Sequence, residues 1–342
     1  MGDPIIHVKE LTKIYDRSQK AVDNISFDVA AGEIFGFLGP NGAGKTSTIM
    51  ILITISKPTA GTASICGYDV VKNPMEVRNC IGYVSQDVAV DDQLTGRENL
   101  MLQGHFYHLP SSLLKQRVEE VLNMVDLTER ADDSVYTYSG GMRKRLDIAE
   151  GLLHRPRILF LDEPTLGLDI QTRHKIWDYI RMLRREFKVT IFLTSHYMDE
   201  ADVLCDRVAI IDRGRINVVD NPNSLKSQVG GDMITLKFTQ NTAGLAETAI
   251  NHIKELPTVG SVTHEAGVYN IIAKNGDMTI PKIFNIVQRL GAPIEAITLK
   301  RPSLDDVFLR YTGRALREEE SNQGAALSER VRMMRIRGGG LR

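Results

Sequence analysis

The chain has 342 residues, 42% of them hydrophobic and 25% charged, with 42 basic against 43 acidic side chains. That is an ordinary soluble composition for about two domains, and a net charge of -1 argues against nucleic acid as a partner, because phosphate-backbone binders carry a basic excess. Three cysteines, Cys66, Cys80 and Cys205, without CxxC spacing suggest neither a disulfide framework nor a zinc site and fit a reducing compartment. The start MGDPIIHVKELTKIY lacks a charged segment followed by an apolar one, and no apolar run reaches the roughly 18 residues of a membrane helix. Work at a membrane would therefore need other chains to span it.

In chain order, the first strong element is the apolar run IFGFL at 34–38, which reads as a strand buried on both faces. It runs into GPNGAGKT, which matches G-x-x-x-x-G-K-[ST] from Gly39 to Thr46, and then into the helix-compatible TSTIMILI. A flexible loop is the bland reading of so much glycine, but the strand before it and the helix after it favour a phosphate cradle. Gly42 and Gly44 let backbone N–H groups turn inward, Lys45 offers a charge to β and γ phosphates, and Thr46 offers its hydroxyl to Mg2+. Gly39, Pro40, Asn41, Gly42, Ala43, Gly44, Lys45, Thr46 and Ser47 together form the expected nucleotide-binding stretch, with ATP and Mg2+ as its ligands.

A mostly helical insert is expected from about 94 to 138, because SSLLKQRVEEVLNMVDL places Leu114, Val118, Val121, Leu122 and Val125 at helical spacing behind Pro110 and the capping candidate Ser111. YSGGMRKRLDIAEGLL then sets Ser139, Gly140 and Gly141 immediately before a helix, a second place where N–H groups favour phosphate oxygens. A lone Ser-Gly-Gly is usually a turn; here its company gives it weight. ILFLD at 158–162 is a second buried strand, ending in Asp162 and Glu163 at the carboxyl end where parallel sheets bind ligands. Asp162 is placed to hold Mg2+ and Glu163 to polarise the attacking water, against the alternative of a helix cap or solvated turn. TIFLT and VAIID continue the buried strands at 190–194 and 208–212.

Composition shifts at DNPNSLKSQVGGD, so a nucleotide-binding domain is expected over 1–222, with a linker at 223–232. The order strand, helix, two strands, helix, strand over 233–312 predicts a small ferredoxin-like α+β domain, its second helix written as IPKIFNIVQRL. The tail at 313–342 has few large apolar residues and is expected to be disordered.

Taken together, Gly39 to Thr46, Gln86 in GYVSQD, Ser139 to Met142, Asp162 and Glu163, Asp169 in GLD, and His196 in LTSH occur in the order that resembles the ATP-binding cassette (ABC) ATPases, over about residues 4 to 220. QDVAVDDQLTGRENL and RPSLDDVFLRYTG look like the ATPase subunits of daunorubicin-resistance-type drug exporters. The resemblance implies an α/β P-loop NTPase of the ABC type with a helical insert, followed by the small α+β domain. It also implies roles: Tyr15 stacks on adenine, Gln86 senses Mg2+ and water, His196 contacts the γ-phosphate and positions Glu163, and Asp169 lies at a dimer seam. Ser139 and Gly141 of one subunit would complete the γ-phosphate site of another in a head-to-tail pair, a homodimer being the simplest case. The implied partner is a separately encoded ABC-2-type transmembrane permease, which places the chain peripherally on the cytoplasmic face of the membrane. A soluble ABC ATPase of translation or DNA repair is the alternative, but such chains carry two cassettes or a coiled coil. One departure stands out: the family's LSGGQ is here Tyr138, Ser139, Gly140, Gly141, Met142, which exchanges an amide for a thioether.

Overall fold

The computed structural model describes residues 3–15, 19–239, 243–265 and 268–313. Contacts between Cα atoms divide it after Pro222 into two compact units. The expectation of a disordered tail falls on residues 314–342, outside the described residues.

The first unit opens with strands β1 (Ile6–Tyr15), β2 (Gln19–Val29) and β3 (Ile34–Leu38), then helix α1 (Lys45–Leu52). Strands β4 (Ala60–Ile65) and β5 (Tyr68–Asp69), helix α2 (Pro74–Cys80) and strand β6 (Ile81–Val84) follow. The insert supplies α3 (Gly96–Phe106), α4 (Ser111–Met124) and two short 3-10 turns before α5 (Gly140–Leu152). Next come β7 (Ile158–Asp162), α6 (Ile170–Phe187), β8 (Thr190–Ser195), α7 (Met198–Leu204), β9 (Arg207–Asp212) and β10 (Arg215–Asp220).

The apolar runs are the centre of the main sheet. Its order is β10-β9-β3-β8-β7-β6, with β9, β3, β8, β7 and β6 mutually parallel and β10 antiparallel at the edge. Every residue of β3, β7 and β8 is buried, which is why they read as unbroken apolar segments. A second, antiparallel sheet has the order β2-β1-β4-β5. Phe27 of β2 stacks on Phe35 of β3 at 5.5 Å between centroids, and Phe192 meets Phe35 and Phe160 at 5.7 and 5.3 Å. This aromatic layer packs β2 of the second sheet against β3, with β8 and β7 next to it.

In the insert, Leu114, Val118, Val121, Leu122 and Val125 are all buried, as their spacing predicts. Ser111 does not cap α4. It is the first helical residue, and Pro110 holds the cap position with an extended backbone and no side-chain bond. The start of α3 carries a reciprocal cap between Thr95 and Glu98.

The second unit contains α8 (Pro222–Val229), β11 (Asp232–Phe238), α9 (Ala243–Lys254), β12 (Val259–Glu265) and β13 (Val268–Ala273). It ends with α10 (Gly276–Leu290), β14 (Ile294–Lys300) and α11 (Leu304–Thr312). The sheet order β12-β13-β11-β14, antiparallel throughout, is the ferredoxin-like arrangement. Two local expectations change here. Most of the segment read as a linker is helix α8, because Leu225 is fully buried and anchors a stretch whose Asn, Pro, Ser and Gly otherwise spell a loop. The second helix begins before Ile280, at Gly276: the Asn275 side chain accepts from the Met278 N–H at 3.0 Å, so Pro281 sits inside the helix rather than opening it.

Candidate functional site: a nucleotide cavity at the carboxyl edge of the main sheet

The turn between β3 and α1 is shaped by contacts that only glycine tolerates. A Cβ on Gly39 would lie 2.2 Å from the Ile211 carbonyl oxygen, and one on Gly44 would lie 2.3 Å from that of Ala21, where φ is also +110°. The loop is therefore clamped between β9 and β2 with its amides at the start of α1. No side chain caps that helix, and its first turn contains no carboxylate. The partial positive charge of the helix start is thus left for an anion.

Around this turn lies a cavity of about 400 Å³. Pro40, Asn41, Gly42, Gly44, Lys45, Thr46 and Ser47 form its base. Tyr15, Gln86 and Glu163 come to its walls from β1, the segment after β6 and the end of β7. Gly39 and Ala43 lie in the same loop, Ala43 being 3% exposed. Tyr15 is 40% exposed, and the Lys13 ammonium lies 4.9 Å from its ring centroid. Lys20, Ala21 and Arg213 line the cavity too, and the sequence reading missed them. They come from β2 and the β9–β10 turn, so only tertiary structure brings their two charges to the loop.

The carboxylates at the end of β7 occupy different environments. Asp162 is 3% exposed and accepts from the Thr194 hydroxyl at 2.5 Å. Burial pushes its carboxyl up, helped by the neighbouring Glu163 and opposed by Thr194. Glu163 adopts φ of +49°, a left-handed conformation costing roughly 1–3 kcal/mol, and its N–H is held by Thr194. Its side chain receives the Lys45 ammonium at 3.2 Å and His196 Nδ1 at 2.9 Å. Burial pushes this carboxyl up, but the His196 hydrogen bond and the Lys45 charge outweigh it and hold it below the usual range. Lys45 also donates to the carbonyls of Gly39 and Pro40 at 2.7 and 3.3 Å. Lysine, acid and histidine thus form one buried chain beside the loop.

Ser139, Gly140, Gly141 and Asp169 are elsewhere. Ser139 and Gly140 are exposed at the start of α5, with Ser139 Oγ accepting from the Met142 N–H at 3.3 Å. Asp169 caps α6, accepting from the Thr172 N–H at 3.0 Å and hydroxyl at 2.6 Å. A Cβ on Gly141 would meet Thr172 Cγ2 at 2.4 Å, so the Ser-Gly-Gly turn and the Asp169 cap are neighbours on one patch. None of these four residues lines the cavity of the phosphate loop.

One connection runs from α5 toward the cavity. Lys144 on α5 is 3% exposed and donates to the Ser85 carbonyl at 2.7 Å and to Asp147 at 3.1 Å. It ties α5 to the residue immediately before Gln86. Behind His196, the fully buried Glu200 accepts from Thr165 at 2.8 Å and from the Trp177 indole at 3.0 Å.

With this geometry in view, comparison with known proteins is decisive. A family model described as ABC transporter matches residues 22–166, and one described as ATP-binding protein DrrA1-3-like, C-terminal domain, matches residues 221–312. The chain is 38% identical over 312 residues to the daunorubicin resistance ATP-binding protein DrrA2 of Streptomyces coeruleorubidus, covering 90% of this chain and 95% of the relative. It belongs to the ABC transporter ATP-binding proteins. The linearmycin resistance ATP-binding protein LnrL of Bacillus subtilis (strain 168) is 36% identical over 316 residues, 92% of this chain and 100% of that one. Among solved structures, the ATP-binding cassette MJ0796 in a dimeric post-hydrolysis state bound to ADP and Pi is similar with a TM-score of 0.57 and 26% identity, over 63% of this chain and 98% of that one. The ABC ATPase fold and ATP-hydrolysing activity follow for this chain. No helix among its described residues is long and apolar enough to cross a membrane.

Proposed function

We propose that this ABC ATPase powers a multi-subunit exporter of drug-like, hydrophobic or lipid compounds by closing two copies head to tail around ATP. Residues 1–222 serve as the nucleotide module, and the α+β unit over 233–312 follows it. The supporting observation is the separation of the two phosphate-seeking helix starts: the loop of α1 encloses a cavity, while Ser139 and Gly140 stand exposed and the half-buried Gly141 beside them also lies outside it. A second copy presenting Ser139, Gly140, Gly141 and Asp169 completes the γ-phosphate site. Cargo and direction are carried over from the drug-resistance relatives. A separately encoded ABC-2-type permease supplies the membrane spans, holding this subunit at the cytoplasmic face.

Within each site Tyr15 stacks on adenine, the face opposite Lys13 receiving the base. The amides of Gly42 to Ser47 and the Lys45 ammonium hold the phosphates. The donors Thr46, Gln86 and Asp162 are all oxygen ligands and few in number, which fits Mg2+, a cation that keeps water and substrate phosphate in its shell. Among the described residues no cluster of three or more His, Cys, Asp or Glu competes for a metal. Bound there, Mg2+ neutralises phosphate charge. Glu163 accepts a proton from the attacking water, and His196 fixes its orientation through the 2.9 Å contact. Because the His196 hydrogen bond and, after it, the Lys45 charge hold Glu163 below the usual carboxylate range, drawing Lys45 onto phosphate raises the basicity of Glu163 when substrate is in place. Glu163→Gln protein tests the pairing by light scattering: it should be monomeric alone and dimeric with ATP. ATP-saturated protein that stays monomeric removes the head-to-tail reading.

A further inference from the structure

A second cavity of the nucleotide unit is larger than the one described above. It measures about 740 Å³ and lies at the far ends of α5 and α6, away from Ser139 and Asp169, which begin those helices. Its floor is apolar: Ile5, Leu152, Leu183 and Val189 are each less than 8% exposed there. Phe187, 48% exposed, forms one wall. A volume of roughly 300–1,000 Å³ with an apolar floor and few polar groups is the usual form of a small-molecule site.

The charge around it is one-sided. Arg117, Arg155, Arg157 and Lys188 line the cavity against a single acid, Glu120. Arg117 is 4% exposed and is held by the carbonyls of Leu153 and Leu152, at 2.9 and 3.1 Å, and by Glu120. Glu120 is already committed, since Arg155 donates to both of its oxygens at 3.2 and 2.9 Å. Burial and, after it, the neighbouring Arg155 push Arg117 down, against the opposing charge of Glu120. Arg157 and Lys188 are exposed at the rim and make no ion pair among the described residues.

We propose that this cavity binds a small anionic amphiphile, a carboxylate head on a fatty-acid-like alkyl chain. The head sits between Arg157 and Lys188 and the chain covers Leu183, Phe187 and Val189. Neither a cation nor a neutral solute offsets the two unpaired charges of Arg157 and Lys188, and a purely polar anion leaves the apolar floor wet. The site shares no residue with the nucleotide cavity, so the two ligands bind independently of each other's contacts.

Isothermal titration of the full chain with dodecanoate below its micelle range should show one saturable site, whereas dodecyltrimethylammonium and butyrate should give none. The double variant Arg157→Glu, Lys188→Glu should weaken dodecanoate about tenfold or more, while binding of a fluorescent ATP analogue stays unchanged. Phe187→Asp, also at an exposed position, gives a second reading should the double variant lose its thermal transition. Equal binding of the ammonium amphiphile, an unchanged dodecanoate affinity in a folded variant, or no saturation with dodecanoate overturns the proposal.

Discussion

The two glycine-rich helix starts of the nucleotide unit share local chemistry and differ in surroundings. At α1 the loop is clamped beneath Ala21 and Ile211, the helix is uncapped, and Lys45 and Glu163 close over it. At α5 the Ser139 side chain caps its own helix, the turn does not line the nucleotide cavity, and its neighbours are Leu168 and Thr172 of the Asp169 turn. The first is a pocket and the second an exposed, self-capped turn. A motif therefore identifies an anion receptor, but tertiary context decides whether that receptor is complete within one chain.

The largest test of that difference is Glu163→Gln. Losing the proposed general base should lower ATP turnover about 10²- to 10⁴-fold while equilibrium ATP binding remains. A phosphate-release assay reads the first quantity and nucleotide titration the second. Turnover within a few fold of the parent would remove Glu163 from the chemistry and leave the enclosed pocket a binding site only.

Glu200→Ala asks how far the pocket depends on its support. It leaves the buried Trp177 indole and Thr165 hydroxyl without their acceptor, so unfolding free energy should fall by about 3 kcal/mol. Denaturant midpoints measure this; a loss below about 1 kcal/mol would show that these donors find new partners.

Ser139→Ala probes the exposed start. On the proposed head-to-tail pairing, in which this hydroxyl meets phosphate only in the closed pair, its removal should reduce turnover about 10- to 100-fold and leave nucleotide affinity of the single subunit within about twofold. An equal loss of monomer affinity would place Ser139 in the same subunit's pocket, contrary to its exposure. The lost cap costs about 1 kcal/mol of stability as well, so turnover is compared at temperatures where both proteins are folded.

How legible these regions were follows from sequence distance. Strands β3, β7 and β8 announce themselves because burial on both faces leaves only apolar residues to write them with. The phosphate loop is legible because its chemistry is contiguous. The tie from Lys144 to Ser85 spans 59 positions and the pairing of Glu163 with His196 spans 33, and no local pattern encodes either distance or direction. Arg213 and Lys20 reach the cavity only through strand pairing. Helix α8 was hidden by loop-like composition, since a single buried leucine outweighs its polar residues. The left-handed backbone of Glu163 has no sequence mark, as glutamate carries no preference for it.

The smallest expected effect concerns the body of the helix that carries the exposed turn. Glu150, on the same face of α5 as Asp147, has its carboxyl pushed up to about 8 by burial and by the charge of Asp147. Its folded pKa lies above the unfolded value near 4.5, so between those values the folded chain binds more protons than the unfolded one. Stability from this group is full below about 4.5 and is lost as pH rises toward 8. Glu150→Gln fixes the neutral form, so relative to the parent it should gain on the order of 1–2 kcal/mol between pH 5 and pH 8.5, after allowance for partial solvent contact. Denaturant midpoints of both proteins across that range give the difference directly. A flat difference would mean that α5 opens to water around Glu150. Ser139, at the other end of the helix, would then stand on a less rigid base than Lys45 does.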